Sequence, residues 1–222
     1  RLGSAMVILG LTGSIGMGKS TATRAFAAQG AMVWDADAEV HRLMAVGGAA
    51  VVAIAKAFPE ALAGKTGGGA FIDRKILGQS IFEDGAGLSR LEAILHPLVR
   101  RGERRFLGTA ERRRCRLAVL DIPLLFEVRL DIRCDALVVV SAPAFIQAAR
   151  VLARPGMTRD KFDGILARQM PDAEKRRRAD FVVPSGRGKA ETLRRLTRSA
   201  RLMGNATATH WPPDTLAERT VN

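Results

Sequence analysis

Gly10-Leu-Thr-Gly13-Ser14-Ile15-Gly16-Met17-Gly18-Lys19-Ser20-Thr21 is the stretch whose reading decides the fold. Gly13, Gly18, Lys19 and Ser20 satisfy G-x-x-x-x-G-K-[ST], the phosphate-binding loop. Glycines let the backbone turn tightly and present N–H groups inward to phosphate oxygens. Lys19 is expected on the β/γ-phosphates, and the Ser20 hydroxyl is expected to ligate Mg²⁺. The helix that follows adds the positive end of its dipole. The nucleotide-binding set therefore runs from Gly13 to Thr21.

The flanks agree with the motif. Met6-Val-Ile-Leu-Gly-Leu11 is a short apolar run of strand formers. Lys19 to Gln29 reads as a helix, with Ala22, Ala25, Phe26 and Ala28 available for a buried face and Gly30 as its stop. A bare glycine turn is the bland alternative, and strand, loop and helix in this order argue against it.

The 222 residues suffice for one domain or one domain with insertions, and 47% hydrophobic content supports a sizeable core. Arg1 to Ala5 read as an expression remnant ahead of a natural start at Met6. No apolar run spans a membrane and no secretory signal is visible, so a soluble cytoplasmic protein is expected, with the monomer favoured. Cys115 and Cys134 lack metal-ligand spacing and read as reduced thiols. The net charge of +13 favours anionic partners. Nucleic acid is not expected, because aromatics are only 5% and no nucleic-acid module is recognisable. A polyphosphorylated small molecule fits the charge better.

Further along, Ala31 to Asp35 reads as a strand ending in Asp35-Ala36-Asp37. Ligands of open α/β sheets sit at the carboxyl ends of strands. One of these aspartates can act as general base and the other can hold waters on Mg²⁺. A helix N-cap is the competing role, and Asp37 suits either. From Ala38 to Arg114 the pattern is helical without an obvious strand. Breaks fall at Gly47-Gly48, Pro59 and Gly64 to Gly69, and Asp73 is a cap before Arg74 to Phe82. His96-Pro97 reads as the opening of a long basic helix. Strands return at Arg116 to Asp121, Ala136 to Val140 and Ala179 to Val183. Ala144 to Arg178 reads as short basic helices, and Lys189 to Met203 as a last amphipathic helix. Strands alternating with helices point to a parallel sheet of α/β class.

The ordered motifs resemble the dephospho-coenzyme A kinase family. The resemblance rests on the loop, Asp35-Ala-Asp37, Leu95-His96-Pro97-Leu-Val99, Pro123-Leu-Leu-Phe126-Glu127, Ala153-Arg154, Ala167-Arg168-Gln169 and Arg178-Ala-Asp-Phe-Val-Val183. It implies a three-layer P-loop kinase core with a helical acceptor insertion and a small helical lid. The division implied is 6–41, 116–143 and 179–203 as core, 42–115 as acceptor domain and 144–178 as lid, with an irregular tail over 204–222. The resemblance implies transfer of the ATP γ-phosphoryl group, with Mg²⁺, to the ribose 3′-hydroxyl of dephospho-CoA. It makes Asp37 the base and Asp35 a supporting residue near Mg²⁺. It places His41, Arg42, His96, Phe126 and Glu127 on the acceptor side and Arg150 and Arg154 on the lid. The chain departs from the family pattern at His41, where arginine is common, at Pro155, at Asp121 and at Val183-Pro184-Ser185-Gly186. Rival readings are a nucleoside or nucleotide kinase and, more distantly, a nucleic-acid-binding P-loop ATPase.

Overall fold

The apolar run ahead of the glycine loop forms strand β1 (Val7–Thr12), buried at every position. Helix α1 (Lys19–Ala28) leads to β2 (Met32–Asp35), and later strands are β5 (Leu117–Asp121), β6 (Ala136–Ser141) and β7 (Phe181–Pro184). Their order across the sheet is β2-β5-β1-β6-β7. β1 pairs in parallel with β5 and with β6, and β6 pairs in parallel with β7. A parallel sheet is covered on both faces, which is why these strands are continuous apolar runs rather than alternating ones. The computed structural model describes residues 6–64, 69–83, 86–127, 129, 131–203 and 208–211. Arg1 to Ala5, most of the glycine-rich break and most of the tail lie outside the described residues.

Side-chain alternation assigns the faces. Val7, Leu9, Leu11, Val119, Val138, Val140 and Val183 point one way, into a core shared with Ala22 and Phe26 of α1. The final helix α9 (Lys189–Met203) adds Leu196 and Met203 to that core. Fully burying a large apolar side chain contributes about 1.5–3 kcal/mol. The fully buried Leu9, Leu11, Phe26 and Leu196 therefore anchor the strand–loop–helix unit firmly.

The chain divides into two compact units, Arg1–Trp34 with Thr109–Asn222, and Asp35–Gly108. The second has its own core around Leu43, Ile54, Phe58 and Leu95. Its helices are α2 (Ala36–Met44), α3 (Val51–Ala57), α4 (Arg74–Glu83) and α5 (Gly87–Arg112), the last continuing into the first unit. Two expectations need correction here. A hairpin of β3 (Leu62–Ala63) and β4 (Phe71–Ile72) lies where no strand is expected. His96-Pro97 does not open a helix: Pro97 lies inside α5, which begins at Gly87. Proline costs a helix interior about 3 kcal/mol, and the packing of Leu95 and Leu107 on the same helix opposes that cost.

Asp135 ties part of the tail to the sheet. Its Oδ2 accepts the Ile8 N–H at 2.7 Å, and its Oδ1 accepts the Thr209 N–H at 2.7 Å and the Thr209 hydroxyl at 2.9 Å. His210 Nδ1 also lies 3.0 Å from Oδ1. Burial pushes this carboxyl up, but the bonds from Ile8, Thr209 and His210 outweigh it and hold it below its ordinary value. A depressed folded value means that the stabilisation is present above the unfolded carboxylate value of about 3.9. It is lost as pH falls through the folded value. Between pH 5 and 3, thermal melting of the wild type is therefore expected to lose more stability than that of Asp135→Asn. Parallel acid profiles would show that the carboxylate does not contribute in this way.

Candidate active site

Backbone shape creates the loop. Gly16 has φ +77° and Gly18 φ +91°, the left-handed region that side-chain-bearing residues avoid. A Cβ on Gly16 would also lie 2.5 Å from Val151 Cγ2. Gly18 is the N-cap of α1 and supplies no side-chain hydrogen bond to the helix. The Thr21 N–H bonds the Gly18 carbonyl at 3.1 Å, and no side chain caps the amides ahead of it, which suit an anion.

Distant residues hold this backbone in place. Gln169 Oε1 accepts the Ile15 N–H at 3.1 Å, and Gln147 Nε2 donates to the Ile15 carbonyl at 2.8 Å. The buried Ser185 hydroxyl donates to the Met17 carbonyl at 2.6 Å. Met17 is buried, and its Sδ accepts the Ala142 N–H at 3.0 Å. Gln147 and Arg150 come from α6 (Ala144–Leu152), and Gln169 lies between α7 (Arg159–Ala167) and α8 (Asp172–Arg178). The Arg150 guanidinium donates to the Gly16 carbonyl at 3.3 Å, to Ser185 Oγ at 2.9 Å and to the Ser185 carbonyl at 2.8 Å. Charged donors of this kind carry more than neutral ones, so Arg150→Ala is expected to lower kcat/KM for ATP by about tenfold. Steady-state assays with ATP varied measure this. Arg150→Lys should recover only part of the loss, since one ammonium cannot span three acceptors.

Lys19 pairs with Asp121 at the end of β5. Thr23 Oγ1 donates to the other Asp121 oxygen at 2.7 Å. Asp121 is 2% exposed, and these two neighbours engage both of its carboxyl oxygens. Ser20 is exposed in the first turn of α1. Among the described residues, no group of three or more His, Cys, Asp or Glu side chains is placed to hold a metal.

On the same unit, Phe126 is buried beneath the Arg178 guanidinium, whose centre lies 6.0 Å from the ring centroid. Glu127 Oε1 accepts the Met170 N–H at 2.8 Å and lies 2.9 Å from Nζ of the fully buried Lys175. Glu127 is therefore held by the α8 region. Arg154 is exposed just beyond α6.

The second unit carries the remaining candidates. Asp35 is the N-cap of α2, its Oδ1 accepting the Ala38 N–H at 3.0 Å. The cap role that the spacing left open thus falls to Asp35, and Asp37 sits in the first turn behind it, exposed. Arg42 is tied to Glu39 by two bonds, at 2.9 and 2.6 Å. His41 Nε2 meets Arg74 Nη1. His96 is exposed on α5.

The family model for dephospho-CoA kinase matches residues 7–190. The chain belongs to the dephospho-CoA kinase family. The dephospho-CoA kinase of Paramagnetospirillum magneticum is 61% identical over 171 residues, 77% of this chain and 78% of that one. That of Rhodospirillum rubrum is 50% identical over 205 residues, covering 92% and 95% of the two chains. The crystal structure of TT1252 from Thermus thermophilus superposes with a TM-score of 0.78 at 35% identity, covering 91% of this chain and 99% of its own. Dephospho-CoA kinase from Campylobacter jejuni gives a TM-score of 0.61 at 22% identity over 89% and 97% of the chains, a likeness of fold.

Within this member of the dephospho-CoA kinase family, the loop clamp was not visible in the sequence. Gln169 falls in the Ala167-Arg168-Gln169 motif, but nothing there points to Ile15, and the partners of Gln147, Gln169 and Ser185 lie 132, 154 and 168 residues away. The one available signal was the apolar-then-Asp pattern ending at Asp121, which marks a strand end without naming its partner. Among the described residues, no helix is long and apolar enough to cross a membrane.

Proposed function

We propose that the chain transfers the γ-phosphoryl group of ATP to the ribose 3′-hydroxyl of dephospho-CoA, giving CoA and ADP. The observation that carries the reading is the family match over residues 7–190, which contains an intact loop with an uncapped helix behind it. Cys115 and Cys134 are thiols rather than halves of a disulfide, which fits a reducing cytoplasm.

In this reading the first-turn amides of α1 and Lys19 hold the donor phosphates. The arrangement fits a polyphosphate because Lys19, in the first turn of α1, is a cation placed to pair with an anionic group, as it does with Asp121. Mg²⁺, when bound, neutralises charge on the β- and γ-oxygens. Ser20 suits it as a ligand because Mg²⁺ keeps several waters and takes few protein groups. Asp35 would support it through water. Asp37 accepts the proton of the acceptor hydroxyl. Arg154 closes on the phosphates, and Arg150 keeps the loop in shape. His41, Arg42, His96, Phe126 and Glu127 serve the acceptor side.

The test is a panel of acceptors with labelled ATP, comprising dephospho-CoA, nucleosides, nucleotides and small sugars. Label is expected to pass efficiently to dephospho-CoA alone. Preferential labelling of a nucleoside or nucleotide would replace this reading with the neighbouring kinase class.

A further inference from the structure

Lys175 is fully buried, although it stands in the basic run Lys175-Arg176-Arg177-Arg178. Helical spacing explains this. Asp172, Lys175 and Arg178 recur every three residues and so share one face of α8. Asp172 Oδ2 accepts the Ser141 hydroxyl at 2.7 Å, Lys175 Nζ lies 2.9 Å from Glu127 Oε1, and Arg178 lies over the Phe126 ring. That face therefore meets the end of β6 and the Phe126-Glu127 corner beyond β5.

Stability alone is a poor reason for such a contact. Taking an ammonium out of water is costly, and a buried ion pair repays the cost only with good geometry and further hydrogen bonds. Among the described residues, Lys175 Nζ, Glu127 Oε2 and Asp172 Oδ1 are all buried without a directed hydrogen bond. An apolar pair of similar volume is often as stabilising. What it cannot do is aim a carboxylate. Glu127 Oε1, the atom facing Lys175, also accepts the Met170 N–H at 2.8 Å. The preceding residue, Gln169, accepts the Ile15 N–H of the phosphate loop at 3.1 Å. One line of contacts thus runs from the buried lysine to the loop.

We propose that Lys175 is a positioning residue for phosphoryl transfer. It fixes the Glu127 carboxylate on the Met170 N–H, which sets Gln169 against Ile15 and keeps the loop in its phosphate-binding shape. It acts through these three residues and not on a substrate. The proposal rests on ATP being the donor at the loop.

Lys175→Met and Gln169→Ala are each expected to lower kcat/KM for ATP by about tenfold, the worth of one well-placed hydrogen bond. Both act through the same contact, so the double variant should lose little more than either alone, whereas independent effects would multiply to about a hundredfold. The loss is expected in KM for ATP, with KM for dephospho-CoA unmoved. A hundredfold loss in the double variant, or a change confined to the acceptor KM, would overturn the proposal. Removing one partner of a buried pair also destabilises the fold. Lys175→Met combined with Glu127→Leu strands no charge and still deprives the Met170 N–H of its acceptor. It should show the same loss and the same lack of additivity with Gln169→Ala, and wild-type kcat/KM for ATP there would count decisively against the proposal. Hydrogen exchange at the Ile15 amide, followed by NMR, reads the link without turnover. Faster exchange in the Lys175 variants is expected. Faster exchange in a protein that does not use ATP would support the link and refute the donor assignment. Wild-type protection of Ile15 would refute the link whatever the turnover.

Discussion

Asp37→Asn is expected to bind ATP and to lose roughly 10²–10⁴-fold in turnover, the usual worth of a positioned general base. Asparagine keeps the shape and one hydrogen-bond acceptor but cannot take the proton of the ribose hydroxyl. The substitution should leave α2 in place, because the helix is capped by Asp35 rather than by Asp37. Two measurements separate a base from a residue that only shapes the site. Single-turnover phosphoryl transfer at saturating acceptor should slow to the full extent, and the affinity for ATP should stay unchanged. Turnover near the wild-type rate would remove Asp37 from the mechanism.

Lys19→Ala carries two consequences that are separable. The first is kinetic: loss of a preorganised positive group on the moving phosphoryl should slow transfer by roughly 10²–10³-fold, comparable with deleting one oxyanion donor elsewhere. The second is structural. Asp121 is buried and loses its counter-charge, keeping only the Thr23 hydroxyl. Stranding a buried charge costs on the order of 3 kcal/mol, with some relief here because Lys19 is partly exposed. The double variant Lys19→Ala with Asp121→Asn removes that stranded charge. It is expected to recover the melting temperature and leave transfer slow. Recovery of both would mean that Lys19 acts through stability, and recovery of neither would mean that the pair is not the source of the loss.

The same contact bears on nucleotide entry. Asp121 holds Lys19 at the end of β5. Phosphate must compete with that carboxylate for the ammonium, so an Asp121→Asn change alone leaves Lys19 more available.

Much of the fold was legible because its signals are local. β1, β5 and β6 are continuous apolar runs buried on both faces, and each lies within a residue or so of its expected place. The Lys189–Met203 helix has the expected bounds, because an amphipathic stripe is a short-range pattern. The β3–β4 hairpin was not legible, since two-residue strands are too short to show alternation. Pro97 misled for a related reason. Local preference puts proline at a helix start, whereas the helix persists through it among packed neighbours such as Leu95 and Leu107.

The sequence by itself determined the phosphate loop, the class of fold and the family, because each depends on residues adjacent in the chain or in a recurring order. Only the tertiary structure decided how the loop is held. Lys19 faces Asp121, Ile15 lies between Gln147 and Gln169, and Arg150 bonds both Gly16 and Ser185. It also decided that Asp35 caps α2 and that Arg74 meets His41 across 33 residues. These pairings depend on which strand ends and helix faces the packed core brings together, and no spacing along the chain encodes that distance.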